Sequence, residues 1–134
     1  MRAIFRYVFV PAITLCGVVL LSFATVSAHH SFAPFDLTTE KTITGTVSKF
    51  EWTNPHSWIW VDVPNAKGGV DSWAIEGMSP NYLARRGWTK TTLKPGDKVT
   101  IAVSPLRSGE NGGMFVRATL ADGRVLTQTA QPKD

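Results

Sequence analysis

Length and charge set the first limits on this chain. It has 134 residues, with 14 Lys or Arg, 10 Asp or Glu and three His, and a formal net charge of +4. This length fits one small domain with a modest core. No basic block stands out beyond Arg85-Arg86, which gives little support for a nucleic-acid-binding protein.

Residues 1–28 have the features of an export signal. Arg2 and Arg6 precede an apolar stretch, and that stretch ends at TVSA, where Val26 and Ala28 occupy the small-residue positions that a signal peptidase requires. The stretch is long enough for an uncleaved membrane anchor, but the small residues favour cleavage after Ala28. We therefore expect a periplasmic or secreted protein that meets the membrane only through its signal peptide before cleavage.

Cleavage at this position would change the composition of the working domain. The only cysteine, Cys16, would be lost with the signal, which excludes disulfide and thiol chemistry from the mature chain. The signal also contains two of the 14 basic residues and none of the acidic ones, so the mature protein is closer to neutral. Export and this charge balance predict no nucleic-acid partner.

Strand patterns dominate the first half of the mature chain. Residues 29–41 are expected to form an extended N-terminal segment, and residues 42–127 a β domain. KTITGTV alternates apolar residues with threonines, which predicts a first strand. SWIWVDV predicts a second strand with Trp58 and Trp60 opposite the aliphatic residues, so both of its faces are expected to be partly covered. After the turn NAKGG, VDSWAIE predicts a third strand.

A short helix is predicted next, near residues 80–86. Ser79 is a typical N-cap, Pro80 suits the first helical position, and Gly87 suits the left-handed residue after the last turn. LKPGDKVTIAV then predicts a Pro-Gly turn and a fourth strand, and MFVRATL predicts a fifth. ADGRVL predicts a hairpin turn into a short final strand. Residues 128–134 are expected to form a loose polar tail.

This order of elements is typical of one small β architecture. Three strands, a short helix and further strands match the OB-fold, a five-stranded and partly open Greek-key barrel. Gly45, early in the first strand, fits because that strand must bend sharply to take part in both halves of the barrel. We predict an all-β, OB-fold-like barrel with one short helix, and the alternative is a small β-sandwich.

Several linked segments also resemble a known family. AHHSFAPFD, GTVSKFEWTNPHSWIWVDV, WAIEGMSPNYLARRGW, LKPGDKVTIAVSPLR and ADGRVL occur in this order. Together they resemble the small exported bacterial proteins grouped as domain of unknown function 6152, over roughly residues 29–126. The resemblance implies a signal peptide and a small β domain. It implies no activity, and no functional residues follow from it.

The three histidines suggest a metal site. Cleavage after Ala28 would give His29 a free amine beside its imidazole, and these two groups can chelate one Cu(II). His56 would supply a second imidazole, in an arrangement similar to the histidine brace of some exported copper proteins. His30 is a competing ligand, because it could bind through its imidazole, its amide nitrogen and the terminal amine. Copper is the leading metal, and zinc is second because it usually requires four ligands.

The surroundings of this predicted site are less defined by the sequence. His56 must approach the mature N-terminus, and Asp36 or Glu51 are candidates to orient an imidazole. The ordinary alternative is that His56 caps a turn at Asn54-Pro55 and binds no metal.

No catalytic pattern is evident in the mature sequence. It lacks a cysteine nucleophile, a Gly-x-Ser-x-Gly motif, a glycine-rich phosphate loop and a zinc-protease histidine pair, so we expect no enzyme activity.

The competing prediction is a binding module for a small ligand, a peptide, a glycan or an envelope protein. The tryptophans would ordinarily fill the core, but Trp58, Trp60 and Trp88 are candidate surface contacts. Such barrels also stack single-stranded nucleic acid on aromatic rings.

Overall fold

A computed structural model describes residues 32–128, so the predicted signal peptide, His29, His30 and residues 129–134 lie outside the described part. Within it the chain forms six strands and one helix. Their bounds are β1 Lys41–Glu51, β2 Trp58–Pro64, β3 Val70–Glu76, α1 Pro80–Ala84, β4 Lys98–Pro105, β5 Gly112–Leu120 and β6 Val125–Thr127. Across residues 32–128, no helix has the length and apolar character needed to span a membrane.

The strands form one sheet that closes into a barrel. Their order is β3-β2-β1-β4-β5-β6, with antiparallel neighbours throughout. β3, at one edge of the sheet, also pairs in parallel with β5. Strands β1 to β5 therefore form a closed barrel. With α1 between β3 and β4, this is the predicted five-stranded OB-fold arrangement. The alternative prediction of a β-sandwich is wrong. The predicted short final strand, β6, extends the sheet beyond β5.

The barrel core follows the predicted alternation along the strands. Inward-facing side chains are buried, and the residues between them are half-buried or exposed. α1 adds Leu83, and the segment after it adds Trp88 and Leu93. Trp73 and Trp88 both belong to this core, which confirms for these two rings that tryptophan fills the interior.

Gly45 allows β1 to pair with β2 and β4 at the same time. It lies opposite Val99 of β4, and its neighbour Thr46 lies opposite Asp62 of β2. A Cβ atom at Gly45 would lie only 2.4 Å from the backbone oxygen of Asp62. The sequence suggested a bend here, and close approach of the β2 backbone is the specific reason that only glycine fits.

The helix begins as predicted and ends earlier. The Ser79 side chain accepts a hydrogen bond from the backbone nitrogen of Tyr82, and Pro80 is the first helical residue. The prediction of a helix to residue 86 was two residues too long. The amides of Arg86 and Gly87 donate to carbonyls three residues earlier, so the last turn is tighter than an α-helix.

Both ends of the described chain are attached to the barrel. Phe35 is buried and bridges Leu106, so the segment before β1 packs on the connection between β4 and β5. At the other end, Gln128 was expected in a loose tail but is buried. Its side chain donates to the Phe115 carbonyl oxygen at 2.6 Å and accepts from the Met78 amide at 3.2 Å. Two hydrogen bonds to the barrel account for this difference.

Candidate functional site

The outer surface of β1, β2 and β3 brings together three of the residues predicted for a metal or ligand site, Glu51, Trp58 and Trp60. On β2, Ile59 and Val61 point into the core, and the alternating positions therefore point outward. Strand register places residues of β1 and β3 on either side of them. We call this surface the tryptophan face, and it consists of Lys49, Glu51, Trp58, Trp60, Ala74 and Glu76.

His56 lies at the edge of the tryptophan face, in the connection between β1 and β2. The Thr53 hydroxyl donates to the His56 carbonyl oxygen at 3.1 Å, which ties this connection together. The imidazole Nδ1 contacts the Glu76 carboxylate through Oε1. The two side chains are only 23% and 21% exposed, so the pair is partly shielded from solvent.

Glu76 is the carboxylate that the sequence analysis missed. Asp36 and Glu51 were the candidates for orienting the imidazole, but Glu51 pairs with Lys49. Asp36 accepts hydrogen bonds from Thr38 and Thr39. The missing signal was the register of the β2–β3 hairpin, which places Glu76 directly opposite Trp58. Because Trp58 follows His56 by two residues, this register brings Glu76 close to His56.

The contact with Glu76 defines which nitrogen of His56 can bind a metal. In the tautomer that carries its proton on Nδ1, that N–H donates to the carboxylate and the lone pair is on Nε2. Metal-binding histidines commonly have this arrangement, because the carboxylate fixes the ring and makes the ligating nitrogen more basic. Within residues 32–128, no group of three His, Cys, Asp or Glu side chains could hold a metal. A metal at His56 would therefore need ligands such as His29 and His30, which are outside that range.

Two of the three predicted contact tryptophans lie on the tryptophan face. The rings of Trp58 and Trp60 stack with centroids 6.3 Å apart and planes 27° apart, and both side chains are half-buried. Trp88 was wrongly predicted as a surface contact, because it is only 4% exposed. Its indole nitrogen donates to the Thr127 carbonyl oxygen at 2.9 Å, and its ring packs edge-on against Phe115.

Comparison with known proteins adds the family. The sequence model of a family of unknown function, DUF6152, matches residues 17–117. The chain belongs to the DUF6152 family. This confirms the resemblance found in the sequence, and membership brings no activity with it. No curated protein gives a significant match to this DUF6152 chain.

Solved structures include a distant neighbour of the DUF6152 chain. It is the mitochondrial single-stranded DNA binding protein Rim1 from S. cerevisiae, which is 12% identical in sequence. The match covers 62% of this chain and 93% of the yeast chain, with a TM-score of 0.47.

Proposed function

We propose that this protein is exported, cleaved after Ala28, and binds one Cu(II) ion without catalysing a reaction. The ligands are the amine and imidazole of the mature N-terminal His29 together with His56, and His30 is a secondary ligand. The site works in the periplasm or outside the cell. The observation that supports it most is the contact between His56 Nδ1 and the Glu76 carboxylate.

This contact supports the proposal in two ways. A carboxylate on Nδ1 favours the tautomer whose Nε2 lone pair can bind a metal, and it holds the ring in one orientation. Cu(II) prefers nitrogen ligands in a tetragonal arrangement, and the His29 amine, the His29 imidazole and His56 would supply three of them. Each ligand nitrogen must be deprotonated, so the proposed binding weakens in acid.

Electron paramagnetic resonance of the Cu(II)-loaded mature protein tests this proposal. We expect His56→Ala to change the spectrum and to weaken binding strongly. Glu76→Gln should weaken binding by about 10- to 100-fold, the usual effect of losing a carboxylate behind a metal-bound histidine. Glu110→Gln, in the connection between β4 and β5, is the matched control and should have no effect.

One result would contradict the His56 ligand directly. If His56→Ala leaves both the spectrum and the affinity unchanged, any bound copper belongs to the His29-His30 terminus alone.

A second candidate role is supported by a different observation. Trp58 and Trp60 form a stacked, half-buried pair on the outer surface of the barrel. In OB-folds, the surface around the second and third strands is a common site for ligands. We propose that the tryptophan face is a non-catalytic binding surface for an envelope partner or a small ligand. Its test is whether Trp58→Leu abolishes binding of a ligand that the unmodified protein binds.

A further inference from the structure

We infer that the tryptophan face binds an alkylammonium cation over the ring of Trp58, an inference that rests on the second proposed role. Trp58 has a carboxylate-bearing residue on each side. Glu51 is its register partner on β1, and Glu76 is its register partner on β3. Trp60 stacks beside it. The half-buried indole therefore lies in a row between two glutamates on one surface of the sheet.

The charge of this row selects the sign of the ligand. The face of an indole ring attracts cations through its quadrupole, and the two flanking carboxylates add negative potential. Among the six residues of the tryptophan face, Glu51 and Glu76 are negative and Lys49 is positive, so its formal charge is −1, whereas the whole chain has a formal charge of +4. A single-stranded nucleic acid stacked on Trp58 would bring its phosphates next to Glu51 and Glu76, which is unfavourable.

The partners of the two glutamates favour an organic cation over a metal ion at Trp58. Glu51 contacts Lys49, and Glu76 contacts His56, so both carboxylates already have close partners. A small hard metal ion needs several oxygen ligands directly on the metal. A methylated ammonium group has a diffuse charge and an apolar surface, so it can rest on the indole while the carboxylates act through their field.

The same fold uses cation–aromatic contacts elsewhere. The Lys41 ammonium lies 4.7 Å from the centroid of the Trp73 ring, and the Arg86 guanidinium lies 3.6 Å from the centroid of Tyr82. Over the Trp58 ring, we infer that the cation belongs to a ligand and not to a side chain of this protein.

Choline and its uncharged carbon isostere, 3,3-dimethylbutan-1-ol, provide a matched pair of probes. The two have nearly the same shape and differ in the positive charge. Binding to the mature protein in metal-free buffer is followed by the NMR shift of the Trp58 indole. We expect choline to bind about three- to thirty-fold more tightly than the alcohol, as a cation–aromatic contact predicts.

Three variants locate the site. Trp58→Leu should abolish choline binding, and Trp58→Phe should retain part of it, because phenylalanine attracts cations less than tryptophan does. Glu51→Gln should weaken choline binding several-fold, whereas Glu110→Gln should not. His56→Ala separates this inference from the copper proposal, because choline should still bind when the proposed copper ligand is absent. Variant proteins are followed through the indole signals of the remaining tryptophans.

The outcomes distinguish the inference from the role on which it rests. Equal binding of choline and the alcohol would contradict the inference of a cation ligand but not the proposed binding surface. The same holds if a neutral oligosaccharide or a thymidine oligonucleotide binds in a Trp58-dependent way and choline does not. If none of these probes binds in a Trp58-dependent way, the cation inference is contradicted. The proposal that the tryptophan face binds a small ligand is then contradicted as well.

Discussion

At the scale of single residues, Glu76 determines how His56 is presented. The carboxylate contacts Nδ1 and comes from β3, whereas His56 comes from the connection before β2. A change at Glu76 therefore alters the orientation of the ring without removing the histidine. This is why Glu76→Gln and His56→Ala are expected to give graded effects on copper binding rather than the same effect.

Gly45 makes the clearest prediction about packing. In Gly45→Ala, the new methyl group would meet the Asp62 backbone oxygen at 2.4 Å and a Val61 methyl carbon at 2.8 Å. Because backbone cannot move aside cheaply, we expect the free energy of unfolding to fall by about 1–3 kcal/mol in urea denaturation.

Gly69→Ala is the control for this prediction. The nearest atom to a Cβ there is 3.7 Å away, so its stability should stay within about 0.5 kcal/mol of the unmodified protein. Equal effects of the two substitutions would show that close approach of β2 is not the reason for glycine at position 45.

The Asp36 carboxyl is expected to have a lowered pKa. Hydrogen bonds from the Thr38 side chain, then from the Thr39 side chain and the Thr38 amide, lower the pKa of Asp36 from 3.8 to about 2. A lowered folded-state pKa means that the stabilisation is present above the unfolded value of about 3.8 and is lost as the pH falls towards 2. Carboxyl NMR should show the Asp36 midpoint near 2.

Thr38→Val tests the cause of this shift. It removes the hydroxyl that donates to Asp36 at 2.7 Å, so the pKa of Asp36 should rise towards 3.8. An unchanged midpoint would mean that the turn around Asp36 does not hold its carboxylate in solution.

At the scale of elements, the ends of the β domain differ most from what the sequence predicts. The strands were predictable because alternating apolar residues specify which side faces the core. The helix start was predictable from Ser79 and Pro80, and Gly87 has the predicted left-handed backbone after the last turn, with a φ of 85°. The early end of the α-helix depends on hydrogen bonds between residues three apart, which the sequence does not signal. Gln128 lies in a polar sequence, and residue type does not reveal the tertiary hydrogen bonds that its buried side chain makes.

Gln128 provides the prediction at this scale. Gln128→Ala would leave the Met78 amide and the Phe115 carbonyl oxygen without the bonds that this side chain makes. We expect a loss of about 1–3 kcal/mol in the free energy of unfolding. Amide hydrogen exchange should increase first at Met78 and in β6, and unchanged exchange at Met78 would contradict the bond.

The candidate site was predictable in part, because residue type and strand alternation can be read from the sequence and the pairing of strands cannot. His56, Trp58 and Trp60 stood out by residue type, and strand alternation placed both rings on the side opposite the aliphatic residues. Glu76 could be assigned only by pairing β2 with β3 in register. Trp88 was misassigned because tryptophan type does not distinguish a core ring from a surface ring, and its burial depends on packing against Phe115.

At the scale of the whole molecule, the barrel connects the two proposed sites. β2 presents Trp58 and Trp60, and Glu76 at the end of β3 both contacts His56 and flanks Trp58. A copper ion at His56 and a cation over Trp58 would therefore share one carboxylate. Because both ligands are positive, we expect each to weaken binding of the other.

We propose that export creates a copper-binding terminus at His29. Native mass spectrometry of the untagged protein, purified from the periplasm or medium and supplied with Cu(II), tests it most directly. We expect the mass of residues 29–134 plus one copper, with copper largely lost in His56→Ala and when one alanine is inserted before His29. A mature chain that begins elsewhere, or copper retained equally in both variants, would contradict a copper site at His29 and His56.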